Sequence, residues 1–156
     1  MRPAAAAIAL DSNTLGLLVH PKADGEPEAC RAWLDEIKRS GWQILVPEIA
    51  DYELRRELIR INSQGALARL DFLKEQNPYL ILTTNIMLRA AQLWAASRSR
   101  GMATTHPKSL DVDVILAAQV QLYAAFRPFP VILATTNVRH LGQFVDARPW
   151  QDIQPG

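Results

Sequence analysis

Short apolar runs alternate with stretches of helical period along this chain. Ala7-Ile8-Ala9-Leu10 reads as a strand ending at Asp11, with helical pattern from about Thr14. Residues 23–27 read as loop. Glu28 to Arg39 then sets Trp33, Leu34 and Ile37 on one face, and Ser40-Gly41 closes that helix. Gln43-Ile44-Leu45-Val46 is a second strand, after which Pro47 suits a first helical turn and a helix runs to about Arg60. Gly65 to Lys74 makes another helix, stopped by Asn77-Pro78. Tyr79-Leu80-Ile81-Leu82 is a third strand. Thr83-Thr84-Asn85 caps a helix from Ile86 to Arg98, and Gly101 ends it. A loop carrying His106-Pro107 leads to a helix from Ser109 to about Ala125. Pro128 and Pro130 break it before the strand Val131-Ile132-Leu133-Ala134. Strands separated by helices, with few hairpin signals, predict an α/β domain with a mostly parallel sheet. The 156 residues show no linker or composition break, so one domain is expected over 1–156, with its core at about 7–146.

Composition narrows the chemistry more than the fold. Formal net charge is +1, so no global field draws the chain to a polyanion, and any such binding needs a local patch. Cys30 is the single cysteine, which excludes an intrachain disulfide or a cysteine metal cluster and suits a reducing cytoplasm. The start, MRPAAAAIAL, has a short apolar run that stops at Asp11-Ser12-Asn13, and reads as a frayed end and a buried strand rather than a signal peptide. No run approaches the ~18 apolar residues of a membrane span. Neither a phosphate-cradling P-loop nor a dinucleotide glycine pattern is present.

Three acids stand at informative places. Asp11 ends the first strand, where ligands bind in open α/β sheets, although it can equally be an N-cap, a role open also to Ser12 and Asn13. Glu53 falls near the buried side of its helix. It also fits a solvated face with Glu53–Arg56 and Glu57–Arg60 pairs, each contributing about 0.2–0.5 kcal/mol. In SLDVDVILAAQ, Ser109 or Asp111 can cap the helix, which leaves one acid surplus. Asp113 continues into Leu116, Ala117 and Val120, an apolar face where a lone carboxylate would be costly unless it met a cation or took up a proton. Convergence of Asp11, Glu53 and Asp113 would make an oxygen-only donor set suited to Mg²⁺ or Mn²⁺.

The segments IALDSN, VPEIADYEL, DVILAA and ATTNVRHL, in this order from about Ile8 to Leu141, resemble the PIN-domain family, which includes the VapC toxin ribonucleases of bacterial toxin–antitoxin pairs. The resemblance implies a three-layer α/β/α fold and a metal-dependent endoribonuclease that cleaves single-stranded or structured RNA, as the toxin of a type II pair. It assigns Asp11, Glu53 and Asp113 to Mg²⁺ or Mn²⁺. It implies that Ser12 orients Asp11 or a metal-bound water, and that Asp111 helps hold such a water. Asn137 takes the fourth place, often an Asp in the family, and lowers the charge of the site. A small antitoxin protein and a homodimer are the partners it implies, besides the RNA substrate. The rival expectation is a PIN-like RNA-binding or protein-interaction module with weakened catalysis, motivated by Asn137 and the near-neutral charge.

Among the basic residues, Lys108 and Arg139 flank the acids in sequence and are the first choices for RNA phosphates, ahead of Arg55, Arg56, Arg89, Arg98 and Arg100. His20, His106 and His140 lie far apart and are expected on the surface or in loops; His140, close behind Asn137, is the exception to watch. The four tryptophans, Trp33, Trp42, Trp94 and Trp150, are expected in the core or at an interface.

Overall fold

The computed structural model describes residues 5–99 and 107–156, with only the backbone described for 107–109. In chain order the elements are β1 (Ala7–Leu10), α1 (Ser12–Val19), α2 (Gly25–Arg39), β2 (Gln43–Pro47), α3 (Glu48–Arg60), α4 (Gln64–Gln76) and β3 (Tyr79–Leu80). They continue with α5 (Thr84–Ser99), α6 (Pro107–Ala125), β4 (Val131–Ala134), α7 (Val138–Leu141), β5 (Ala147–Arg148) and a 3-10 turn at Trp150–Asp152. The five strands form one parallel sheet in the order β3-β2-β1-β4-β5, with Ile8 opposite Ile44 on one side and Ile132 on the other.

The two-residue period of the strands makes the three layers. Ile8, Leu10, Ile44, Val46, Ile132 and Ala134 face one way and pack against α1, α2, α3 and α4. Ala7, Ala9, Leu45, Val131 and Leu133 face the other way, onto α5 and α6. Small alanines on that second face let α6 come close with its own Ala117 and Ala118, both fully buried. The result is the parallel-sheet α/β domain expected from the strand–helix alternation, in the three-layer α/β/α form that the family resemblance implies.

Local departures have local causes. α2 begins at Gly25, inside the span read as loop, because Gly25 adopts a left-handed φ of 69° and the acids Glu26 and Glu28 favour a helix start. Pro47 closes β2 and precedes α3 instead of entering it. The third strand keeps only Tyr79 and Leu80, the part that pairs with Val46 and Pro47. Beyond it, the Leu82 N–H leaves the ladder and donates to Glu48 Oε1 at 2.6 Å. Thr83 caps α5, accepting from the Ile86 N–H at 3.2 Å, and Asn77 closes α4 through a bond to the Leu73 carbonyl at 2.9 Å. The expected stop at Gly101, and Arg100 and His106 with it, lie outside the described residues. Two short elements, α7 and β5, carry too few residues to show a period, and sequence pattern missed both.

Polar side chains tie the layers where the backbone ladders end. Gln119, 1% exposed, accepts from the Ile49 N–H and donates to the Leu80 carbonyl, joining α6 to the start of α3 and to the edge strand. Asp51 is equally buried and is bonded by Arg55 at 2.7 Å and by the Tyr79 hydroxyl at 2.8 Å. Trp33 donates to the Ile153 carbonyl and packs on Trp150 at 5.8 Å between ring centroids, so the core runs on to Ile153. Trp94, by contrast, is 40% exposed, with Arg98 over its ring. Among the described residues no helix is long and apolar enough to cross a membrane.

Candidate active site

β1 is the point from which the chain reaches β2 on one side and β4 on the other, so the carboxyl ends of β1 and β4 frame a crevice. Asp11 leaves β1 there and caps α1. Its Oδ1 accepts from the Ser12 N–H at 2.6 Å at the head of α1, while Oδ2 accepts from the Thr135 hydroxyl at 2.6 Å. Thr135, fully buried after β4, also accepts the Asn137 N–H at 3.0 Å. One hydroxyl therefore links the first strand's acid to the loop that starts α7. Outside it, Asn13 and Thr136 bond side chain to side chain at 2.7 Å across the same gap.

Glu53 comes from α3, partly buried, and accepts a hydrogen bond from the Ser12 hydroxyl. Ser12 thus orients two acids, Asp11 through its N–H and Glu53 through its hydroxyl. Asp113 comes from α6 with its side chain 14% exposed. Its Oδ2 takes two hydrogen bonds, from Asn137 Nδ2 at 3.2 Å and from the His140 ring, whose Nδ1 lies 2.7 Å away.

The electrostatics put these acids in one neighbourhood. Burial pushes the Asp11 pKa up from its ordinary 3.8; the Thr135 and Ser12 bonds oppose this, and repulsion from Glu53 and Asp113 adds to it. Asp113 is likewise raised, first by burial, against the bond and charge of His140 and with repulsion from Glu53. No Lys or Arg stands among the groups acting on Asp11. The cluster is thus rich in carboxylates and at least partly buried, with His140 offsetting charge at Asp113. Its candidate donors are all oxygens, a set that suits a hard divalent cation. Among the described residues, no three His, Cys, Asp or Glu side chains close on one point as a metal cage. A closed cage is not what Mg²⁺ needs, because it keeps several waters and is held by one or two carboxylates. The donor set fits such an ion.

Other residues singled out in the sequence fall elsewhere. Asp111 is exposed and lines an apolar groove with Met87, Ala90, Trp94 and Ile115, because two residues along a helix turn it about 200° from Asp113. Arg139 is exposed on α7, beside His140. Lys108 sits in the first turn of α6, and its side chain lies outside the described residues. Arg55 is engaged by Asp51 and Asp71, each at 2.7 Å, and Arg89 by Gln121 and Gln92, so both have structural work within the fold.

His140 departs from the surface or loop position expected of it. It is 5% exposed, bonded to Asp113 and edge-on to Phe144 at 5.6 Å. The available signal was its i,i+3 spacing from Asn137, which places both on one side of a helical turn. That spacing carries weight only once residues 138–141 are known to be helical. Thr135 was legible only as part of a threonine-led loop.

The fold is a PIN-like three-layer α/β/α sandwich, and solved VapBC structures share it. A chain of VapBC2 from Rickettsia felis bound to a DNA fragment from their promoter superposes with a TM-score of 0.67 at 12% identity, covering 92% of this chain and 98% of that one. A chain of VapBC-1 from nontypeable Haemophilus influenzae gives 0.62 at 14% identity, covering 94% and 99%. No protein-family model and no curated protein sequence matches this chain.

Proposed function

We propose that this protein is a Mg²⁺- or Mn²⁺-dependent endoribonuclease, acting on single-stranded or structured RNA as the toxin of a type II toxin–antitoxin pair. One observation carries the proposal: buried Asp11 and partly buried Glu53 and Asp113, drawn from three elements, act on one another at the sheet's switch point, and no Lys or Arg is among the groups acting on Asp11. The PIN-like fold and its occurrence in VapBC complexes support the expectation of an antitoxin partner, while the choice of RNA rests on the family resemblance of the four sequence segments.

Asp11, Glu53 and Asp113 would hold the ion, and Asn137 would supply a neutral amide at the fourth place. A divalent ion bound there neutralises phosphate charge and lowers the pKa of a coordinated water. The chain's own groups prepare that event. Thr135 and the Ser12 N–H fix both oxygens of Asp11, and the Ser12 hydroxyl aims Glu53. Burial of Asp11 removes competing water, so the field at the scissile phosphate is little screened. Arg139, exposed on α7, and Lys108 are the basic residues proposed to meet RNA phosphates. A homodimer would present two such sites.

The second reading, a PIN-like RNA-binding or interaction module with weakened catalysis, is favoured by Asn137, which supplies one negative charge fewer than an Asp. Calorimetry with millimolar Mn²⁺ separates the two, since the weakened module binds none. For the enzyme, cleavage of RNA that requires Mn²⁺, stops with EDTA and is lost in Asp11→Asn is the expected result. Metal-independent cleavage that survives the substitution overturns it.

A further inference from the structure

We infer that His140 is a positioning residue for the metal site: with Asn137 it holds Oδ2 of Asp113, leaving Oδ1 as the oxygen offered to the ion. The inference deepens the proposed function and rests on it.

Asp113 stands on a 19-residue helix whose rotation is fixed by packing, but the carboxylate can still spin about its last bond. Two donors on the same oxygen remove that freedom. Asn137 Nδ2 approaches Oδ2 at 3.2 Å and His140 Nδ1 at 2.7 Å, while Oδ1 has no hydrogen bond among the described residues. The two donors sit three residues apart at the start and within one short helix, α7, so they arrive as a unit. The imidazole is itself fixed. It is 5% exposed and meets the edge of Phe144 at 5.6 Å. Backbone bonds bind α7 on both sides of it, from the Leu141 N–H to Asn137 and from the Gly142 N–H to Val138.

The loop leading into α7 is bonded through Thr135 to Asp11. One short segment therefore orients both Asp11 and Asp113, from opposite ends, by a hydroxyl, an amide and an imidazole. Hydrogen-bond partners of metal-ligating side chains affect affinity by about 10–100-fold when removed. His140 belongs to this class of residue, since its ring reaches the carboxylate.

The test is Mn²⁺ titration by calorimetry on the purified full chain, with circular dichroism melting to verify folding. His140→Asn keeps an amide donor close to the Nδ1 position, whereas His140→Gln carries its donor past it and His140→Ala has none. The expected result is wild-type affinity within a few-fold for His140→Asn, and a loss of about 10–100-fold for His140→Gln and His140→Ala. Should His140→Ala fail to fold, the Asn and Gln pair decides. Wild-type affinity in a folded Gln or Ala variant overturns the inference, as does a loss in His140→Asn equal to that in His140→Gln. Absence of Mn²⁺ binding in the wild-type chain instead defeats the proposed function and this inference with it. An unchanged His140 series beside a loss in Asp113→Asn defeats the inference alone.

Discussion

Thr135 donates its hydroxyl to Asp11 over 2.6 Å, and both side chains are buried although 124 positions separate them. The bond favours the charged carboxylate, but burial and two neighbouring acids outweigh it and the Asp11 pKa rises on folding. Between the ordinary value of 3.8 and the higher folded value, the native state binds more protons than the unfolded chain. Stability from this group is fully present below 3.8 and is lost as pH rises through the folded pKa. Asp113 acts in the same direction. Metal-free wild type should therefore fall in Tm relative to Asp11→Asn as pH is raised from 4 to 7. Paired melts in EDTA-containing buffer measure it; a constant difference across that range contradicts it.

Asn137→Asp places a second carboxylate against Asp113 Oδ2, where an amide now donates at 3.2 Å. Metal-free, the variant should melt about 2–4 °C lower, the shift expected for ~1 kcal/mol in a chain of this size. The stabilisation by Mn²⁺ should be larger than in wild type, because the added charge becomes favourable beside a cation. Thermal melts with and without Mn²⁺ read both effects.

Gln119→Leu strands the Ile49 N–H and the Leu80 carbonyl, both of which the Gln119 amide satisfies. Each stranded buried group costs about 1–3 kcal/mol. Urea unfolding should show the loss. Hydrogen exchange should quicken at Ile49 and along the β3 edge before it does in β1.

The alternation of apolar strands and periodic helices was enough to place β1, β2, β4 and the long helices, since each buries a regular face. Asp11, Glu53 and Asp113 were readable as candidates because each stood next to apolar positions where a lone acid needs a reason. What sequence pattern could not supply was partnership across the fold. Ser12 with Glu53, Thr135 with Asp11 and His140 with Asp113 are contacts between elements. Apart from the three-residue step from Asn137 to His140, which has meaning only once α7 is known, nothing in local spacing distinguishes them from ordinary polar residues. Asp111 shows the converse: its nearness to Asp113 in sequence suggested a shared site, and helix rotation turns it to the other side.

The two acids of SLDVDVILAAQ accordingly differ in expected phenotype. Asp111→Asn, on an exposed position, should leave RNA cleavage within about two-fold of wild type, as surface substitutions usually do. Initial rates on a labelled single-stranded RNA compare it directly with Asp113→Asn.

Cleavage of single-stranded RNA by the purified chain, followed in Mn²⁺, in EDTA and with Asp113→Asn, bears most directly on metal-dependent ribonuclease chemistry at this cluster. The predicted result is cleavage with Mn²⁺ only, abolished by EDTA and by Asp113→Asn in a variant that still folds. Cleavage that continues in EDTA and in Asp113→Asn would contradict it.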